Sequence, residues 1–337
     1  MMMRYFSRLA LALALLTAAE ASRAAETIKL ATIAPKDSPY YDILREMDAA
    51  WRRLSGGTLE FRIYAGGAVG DESDIVRKMR VGQFQAAAIS GGGLTDIVPE
   101  LRALQMPMMF ASDEERDYVG SRIRPKLEQL AEARGFKILG WVPTGWLYFF
   151  TQSPVITPDD LRRQKIFAWA GSSGYIEAWK AAGFRPVPLP ATEVLPALET
   201  GLVNAAAVPP IAALSFQWFG LAPHMTDVKW ASLEGGIVMP LAVWDDIPDE
   251  LQPDLLQATL DACARLQSSV ARLSDEAVAA MQRHGLTVHH VPPAVAVEWE
   301  SAARAGYPSL VGELVPEEMA AEVERLRDEY RAAYPRP

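Results

Sequence analysis

The side chains of this sequence that are best suited to contact a ligand are aromatic rings. They lie in or beside apolar stretches of the chain and comprise Trp146, Tyr148, Phe167, Trp169 and Trp218. Flat aromatic rings bury a large apolar area and stack against other rings. These five rings could supply flat aromatic walls to a ligand site, although aromatic residues at strand positions are also typical of a protein core.

Residues that could perform catalysis or hold a metal ion show no comparable grouping. His289 and His290 have no acidic or thiol partner at metal-ligand spacing, and His224 and His284 fit surface or structural positions. The only cysteine, Cys263, stands at an apolar position of a helical pattern, which is typical of a buried thiol. No Gly-x-Ser-x-Gly, P-loop or His-Glu-x-x-His motif occurs. We predict no enzymatic activity, no cofactor and no bound metal.

Composition further limits the class of protein. The 337 residues include 33 Lys and Arg and 42 Asp and Glu, which gives a formal charge of −9. This acidic balance, without a basic patch, argues against nucleic-acid binding. A single cysteine allows no internal disulfide, so the fold must depend on its apolar core.

Residues 1–25 are predicted to be a secretory signal peptide. Arg4 and Arg8 precede a short apolar run, and small residues follow, with cleavage expected after Ala24 or Ala25. The apolar run is too short to cross a bilayer comfortably, and no other run of about 18 apolar residues exists. We therefore expect a soluble mature chain that is secreted.

Strand and helix patterns alternate along the mature chain, which predicts an α/β fold. Ser38-Pro39 is expected to start a helix that ends near Leu54, and Gly91-Gly92-Gly93 is expected to form a loop after a short buried strand. A long amphipathic helical pattern runs from Pro253 to His284. Separate strands are predicted for residues 136–141, 147–151, 228–233 and 236–243.

The clearest local signal is the stretch Pro154–Trp169. Thr157 suits a helix N-cap, Pro158 the first helical position, and Asp160 the acidic position of a capping box. The apolar and aromatic residues Lys165–Trp169 then predict a strand.

Several motifs together resemble one protein family. Gly66–Gly70 and the acidic residues after it resemble a Gly-x-x-Gly-acid element, and Met106–Phe110 stands where that family has Leu-Pro-Phe-Leu-Phe. Glu193–Gly201 is similar to its Glu-Val-Tyr-x-Ala-Leu-x-x-Gly helix. In this order, after a signal peptide, the chain resembles the DctP-type solute-binding proteins of TRAP (tripartite ATP-independent periplasmic) transporters.

The resemblance implies a two-lobed α/β periplasmic binding protein with an interlobe cleft and a long C-terminal helix. We expect lobe I to comprise residues 26–144 with a return segment at about 231–265, and lobe II residues 145–230. Residues 266–337 are expected to form a helical region across both lobes, and the chain is expected to cross near Pro143–Trp146 and Trp230–Glu234. The family's function implies capture of a small molecule in the periplasm and its delivery to a permease of a small and a large integral membrane subunit.

The ligand positions of acid-binding family members are replaced here. The strand that carries their carboxylate-clamping Arg reads Lys-Ile-Phe and places Phe167 there, while Leu147 takes the position of a second Arg. Val208 stands at an Asn position, and Ala191 replaces an aromatic residue before the Glu193 helix. Residues near Ser38 and Ser90 are expected to face these positions from the other lobe.

These replacements lead to a prediction about the ligand. A carboxylate in a closed cleft loses hydration at a cost of several kcal/mol, and a bidentate Arg offsets much of that cost. Without the Arg, we expect a largely apolar or aromatic ligand.

Three alternatives remain open. An organic acid could be held by the helix that starts at Ser172-Ser173, or by Arg162 and Arg163, although we expect these two arginines to point into solvent. The chain could instead be a secreted two-lobed enzyme, or a ligand sensor for a receptor partner.

Overall fold

The computed structural model describes residues 25–169, 176 and 179–335. The predicted signal peptide, apart from its last residue, lies outside the described residues, and so does the predicted helix start at Ser172-Ser173.

One mixed β-sheet runs through the described part of the chain. Its strands are β1 (Glu26–Thr32), β2 (Leu59–Tyr64), β3 (Ala86–Ile89), β4 (Phe136–Thr151), β5 (Lys165–Trp169), β6 (Arg185–Leu189), β7 (Ala205–Val208), β8 (His224–Pro240) and β9 (Thr287–His290). They lie in the order β2-β1-β3-β8-β4-β7-β5-β6, with β9 paired to β8. Parallel pairs form at both ends of the sheet, and the antiparallel strands β4 and β8 lie at its centre.

Strands β4 and β8 connect the two halves of the molecule. The first half contains β1, β2 and β3, and the second half contains β5, β6 and β7. They pair from Phe136 opposite Pro240 to Thr151 opposite His224, so each is one continuous strand where the sequence predicted two. The two predicted crossing segments pair with each other, and the register shifts between Pro143 and Gly145. Such a bulge bends a strand. Gly145 has φ = +93°, a conformation that side chains other than glycine rarely adopt.

The helices pack on both faces of this sheet. Those whose bounds lie wholly within the described residues are α1 (Pro39–Leu54), α2 (Glu72–Arg80), α3 (Gly91–Leu94), α4 (Asp113–Ala133), α5 (Pro158–Arg162), α6 (Val194–Glu199), α7 (Pro210–Ser215), α8 (Leu241–Asp245), α9 (Gln252–Arg283), α10 (Pro293–Ala305) and α11 (Glu317–Ala333). None of the helices in the described ranges combines the length and apolarity that a bilayer crossing requires.

Capping signals placed several helix starts correctly. Ser38 caps α1, and Thr157 with Asp160 forms the complete capping box of α5. Besides the separate strands, two predictions were wrong. The segment Gly91–Gly93 forms the helical turn α3, because the Ser90 side chain accepts the Gly92 N–H and caps it. The predicted strand 236–243 ends at Pro240, where α8 begins.

The long helix predicted from Pro253 to His284 is confirmed as α9. It packs against β4, α1 and α7, and thus contacts both halves of the molecule. Cys263 on this helix is buried, which raises the pKa of its thiol to about 12. The Cys263 Sγ lies so close to Gly140 that a Cβ there would be 2.7 Å away. The thiol is therefore a packing element, as its position in the helical pattern predicts.

Candidate ligand-binding site

Two adjoining cavities form a cleft between the two halves of the sheet. The first contains about 900 Å³ of empty space and the second about 760 Å³, part of it open to solvent. They share the wall residues Leu147, Trp169, Ala207 and Leu233, so we describe them as two parts of one cleft. Strand β4 and the strands beside it form the floor of the cleft, and residues from both halves line it.

Most of the first cavity is apolar. From the first half it is lined by Ile43, Ile89 and the segment 32–35, and from the second half by Val208, Phe216 and Trp218. The rings of Phe216 and Trp218 stack, with centroids 5.0 Å apart and planes 19° from parallel. This stack gives the cleft a flat aromatic surface, which suits contact with another apolar or aromatic group.

The described part of the cleft lining carries no positive charge. Among the described residues, neither cavity is lined by Arg, Lys or His, and Glu72 is the only carboxylate. The sequence of residues 170–175 and 177–178, which are outside the description, contains no cationic residue either. A carboxylate ligand would therefore lose its hydration without gaining a counter-ion from the described lining.

The two arginines considered as alternative carboxylate partners are engaged elsewhere. Arg162 pairs with Asp159 and donates to the Ala182 carbonyl at 3.3 Å, and Arg163 pairs with Asp160. Both lie outside the lining of the two cavities, and the Arg163 side chain is 68% exposed.

Six of the ten residues predicted to contact the ligand line the cleft. Leu147, Val208, Trp169, Trp218 and Ser90 line the first cavity. Phe167 lines the second, together with Leu147 and Trp169. The Phe167 ring lies 5.2 Å from the Trp169 ring and 5.7 Å from the Trp218 ring, both in edge-on geometry. Phe167 therefore lines the cleft and also packs in the buried core of the second half.

Trp146 and Tyr148 lie outside the lining of both cavities, contrary to expectation. Successive residues of a strand point to opposite faces, so Leu147 on the cleft face places its two neighbours on the other face. There the Trp146 Nε1 donates to the Asp113 carboxylate at 3.2 Å. Tyr148 packs against apolar clusters, and this burial raises the pKa of its hydroxyl.

Ser38 and Ala191 also lie outside the cavity lining. Ser38 is fully buried, its Oγ donates to the Pro35 carbonyl at 2.6 Å, and the same oxygen accepts from the Tyr41 N–H at 3.3 Å. Its role in the structure is that of a helix cap. Ala191 is buried in a short 3₁₀ turn before α6.

Sequence reasoning missed polar residues of the cleft. Tyr40 in the first turn of α1 lines the first cavity, and its hydroxyl donates to the Thr144 carbonyl at 3.0 Å. Gln105 lines the second cavity and is buried, yet its Nε2 has no hydrogen-bond partner among the described residues. No local sequence signal indicates either role, because each residue lines the cleft only when distant parts of the chain pack around it.

Glu72 organises the polar edge of the first cavity. Its Oε1 accepts the Ser90 N–H at 2.6 Å, and its Oε2 accepts the Ser90 hydroxyl at 2.6 Å and the Gly93 N–H at 2.9 Å. A Cβ on Gly93 would lie 2.7 Å from the Glu72 Cβ, so glycine is needed for this approach. Glu72, in the first turn of α2, thus also fixes the Gly-rich turn beside the cleft.

Burial of Glu72 predicts a pH dependence of stability. Desolvation raises the pKa of its carboxyl from 4.5 to about 7, although the hydrogen bonds from Ser90 and Gly93 act in the opposite direction. The folded chain holds this proton more tightly than the unfolded chain. Its contribution to stability is therefore complete below about pH 4.5 and is lost as the pH rises through about 7.

We expect this contribution to be on the order of 3 kcal/mol, since one pKa unit corresponds to about 1.4 kcal/mol. Urea unfolding of the natural chain and of Glu72→Gln at pH 5 and pH 8 measures it. The natural chain should lose more stability between these two pH values than the variant, which carries no titratable group there. Equal losses in both proteins would contradict a raised pKa at Glu72.

The histidines lie away from the cleft lining. The His224 Nδ1 is 3.0 Å from the His289 Nε2, and the His290 Nδ1 is 2.9 Å from an Asp227 carboxylate oxygen. Burial, and secondarily His289, lowers the pKa of His224. Within the described residues, no three His, Cys, Asp or Glu side chains group closely enough to hold a metal ion.

Comparison with known families gives a match across most of the chain. Residues 30–313 match the family described as bacterial extracellular solute-binding protein, family 7 (DctP). A solute-binding protein of Albidiferax ferrireducens is 25% identical over 276 residues, which is 80% of each chain. The 2,3-diketo-L-gulonate-binding periplasmic protein of Escherichia coli is 23% identical and covers 69% of this chain and 71% of its own.

Solved structures of similar fold include two TRAP periplasmic solute-binding proteins. One from Bradyrhizobium, in complex with galacturonate, is 25% identical with a TM-score of 0.82 and covers 90% of this chain and 100% of its own. One from Sulfurospirillum deleyianum, with bound succinate, is 22% identical with a TM-score of 0.83 over the same shares. These similarities establish the two-lobed α/β fold that the sequence motifs implied.

Proposed function

Because this chain belongs to family 7 of the bacterial extracellular solute-binding proteins, and so is a solute-binding receptor of the TRAP type, we propose that its ligand is a neutral, largely apolar or aromatic molecule. The observation that carries this proposal is the cleft lining, which contains aromatic rings and, among the described residues, no cationic side chain. Receptors of this family work with membrane permease components, and we propose a small and a large integral subunit for this one.

Two free-energy terms, the desolvation of a charge and the burial of apolar surface, both favour a neutral ligand over an acid. The similar solved proteins hold galacturonate and succinate, which are carboxylates. In this cleft a carboxylate would pay several kcal/mol of desolvation without a cationic partner, and the Glu72 charge would add repulsion above about pH 7. A neutral ring that buries about 100 Å² of apolar surface gains about 2.5 kcal/mol.

Capture by closure is the mechanism that this arrangement supports. Both halves line the first cavity, with Ile43 and Ile89 on one side and Val208 and Trp218 on the other. A ligand that contacts both sides stabilises the closed arrangement by the difference between its affinities for the closed and open forms. We place lobe I at residues 26–144 with a return segment at about 231–265, and lobe II at residues 145–230.

The setting of this function is the periplasm, where TRAP receptors of this family work. A cleaved signal peptide over residues 1–25 and a helical region of residues 266–337 that spans both lobes belong to the same proposal. Since the family consists of binding receptors, binding without chemistry is favoured over the enzyme alternative.

The proposal is tested with a neutral fluorescent probe and two acids. We expect N-phenyl-1-naphthylamine to bind the purified protein with saturation, and succinate and galacturonate to give no calorimetric signal at millimolar concentration. Binding of either acid in place of the neutral probe would overturn the proposed ligand class while leaving the family assignment intact.

Removal of one shared wall residue should weaken this binding strongly. Trp169 lines both cavities, so Trp169→Ala removes apolar contact from each. We expect the affinity for N-phenyl-1-naphthylamine to fall about 30-fold, which corresponds to about 2 kcal/mol of lost apolar contact. Tyr334→Ala, at a ring that is 61% exposed and outside the cleft lining, is the matched control and should leave the affinity unchanged.

A further inference from the structure

A third cavity, outside the ligand cleft, gathers positively charged side chains. It has a volume of about 630 Å³ and is lined by Met108, Phe110, Ala111, Lys229, Glu300, Arg304, Tyr307 and Arg331. Lys229 belongs to β8, Arg304 to α10 and Arg331 to α11, so three separate elements bring a cation to one place. The chain as a whole is acidic, which makes such convergence unusual.

The cations of this cavity are only partly neutralised by the protein. Arg331 pairs with Glu115, whose other carboxylate oxygen accepts the Ala111 N–H at 2.6 Å. By contrast, the side chains of Lys229 and Arg304 form no hydrogen bond or ion pair with any residue in the described ranges. The Lys229 ammonium lies 5.0 Å above the Trp146 ring, which holds it in place without neutralising its charge.

Carboxylates near the cavity do not occupy the hydrogen-bond donors of Lys229 and Arg304. Among the described lining residues Glu300 is the one acidic side chain, and Glu115 is paired with Arg331. Glu114 and Asp328 interact with Lys229 and Arg304 only through space, and Asp328 is paired with Arg327, so the donors of Lys229 and Arg304 remain available. A small anion with two or three oxygen atoms on one centre would accept hydrogen bonds from both, which are strong because donor and acceptor are charged.

We propose that this cavity binds a small anion through a carboxylate or phosphate group, with Lys229 and Arg304 as its main contacts. The site is independent of the ligand cleft and of the proposal about a neutral ligand. An anion bound there would link β8 to the C-terminal helices α10 and α11. The Tyr307 hydroxyl is not available as a further donor, because it donates to the Pro107 carbonyl at 2.7 Å.

Calorimetric titration of the full mature chain with inorganic phosphate and, separately, with citrate tests the site and distinguishes phosphate from carboxylate recognition. Sodium chloride at matched ionic strength controls for screening. We expect saturable binding of at least one anion, and a loss of at least about tenfold in affinity in both Lys229→Met and Arg304→Gln. Arg45→Gln is the matched control, since Arg45 is an exposed arginine on α1 without a partner among the described residues.

The relative affinities for phosphate and citrate decide which chemical group the site recognises. Tighter binding of phosphate than citrate assigns the site to phosphate, and the reverse assigns it to carboxylates. The proposal is overturned if neither anion binds with saturation, or if Arg45→Gln weakens binding as much as the two site variants. Arg304 is exposed on its helix, so Arg304→Gln carries the test even if Lys229→Met fails to fold.

Discussion

Replacement of Leu147 by arginine should give the cleft a carboxylate-binding group that its described lining lacks. Leu147 is half-buried and lines both cavities, so a longer side chain there reaches the space that a ligand would occupy. A guanidinium at this position offers two parallel hydrogen bonds to a carboxylate and offsets much of its desolvation. We expect succinate affinity to rise at least about tenfold, which is about 1.4 kcal/mol or more.

The same substitution should weaken binding of the neutral probe, because a charged group replaces part of the apolar wall. Calorimetry with succinate and fluorescence with N-phenyl-1-naphthylamine measure the two effects. Leu147→Met keeps an apolar side chain of similar size and should change neither. Leu202→Arg adds the same charge at a residue that is 50% exposed and outside the cleft lining. A folded Leu147→Arg variant with no gain over Leu202→Arg would show that position 147 does not contact the ligand.

Position 167, where the family resemblance places the main clamp, is a poorer site for this conversion. The Phe167 ring is buried and packs edge-on against Trp169 and Trp218. An arginine there would remove core contacts and bury a charge, so loss of stability would obscure any gain in binding.

Removal of the Trp299 ring should produce the largest loss of stability among single substitutions considered for the C-terminal helices. Trp299 on α10 is fully buried, and its ring stacks on Phe149 with centroids 5.3 Å apart. Its Nε1 donates to the Ile156 carbonyl at 2.8 Å. We expect Trp299→Ala to lower the free energy of unfolding by about 3–5 kcal/mol, from lost apolar burial, an empty cavity and an unpaired carbonyl.

Val297 on the same helix supplies the matched control. Its side chain is 64% exposed, and Val297→Ala should change the free energy of unfolding by less than about 0.5 kcal/mol. Urea unfolding monitored by far-ultraviolet circular dichroism compares the two variants with the natural chain. Similar midpoints for both variants would mean that α10 does not anchor the second half of the sheet through Trp299.

Local sequence signals predicted much of the secondary structure. The start of α1 at Pro39, the capping box of α5 and the length of α9 all follow from capping residues and helical periodicity. These signals act within a few residues, so they can be read without the fold. The continuous strands β4 and β8 could not be predicted in the same way, because their centres are held by each other across the sheet.

The candidate site was predictable only in part. A single physical rule, the alternation of side chains along a strand, would have excluded Trp146 and Tyr148 once Leu147 was assigned to the cleft. Nothing local indicates that Phe216 stacks on Trp218 at the cleft or that Gln105 lines it, since their contacts come from other parts of the chain.

The sequence by itself determined the family, the α/β class and the absence of arginine at positions 147 and 167, because motif residues and residue identity are properties of the chain alone. Only the tertiary structure decided that Glu72 meets Ser90 and Gly93, that Phe167 meets Trp218, and that Lys229, Arg304 and Arg331 share a cavity. These groups are far apart in sequence and meet through the pairing of β4 with β8 and the return of the C-terminal helices. Side-chain contacts of that kind depend on where distant elements pack, and local propensity does not encode them.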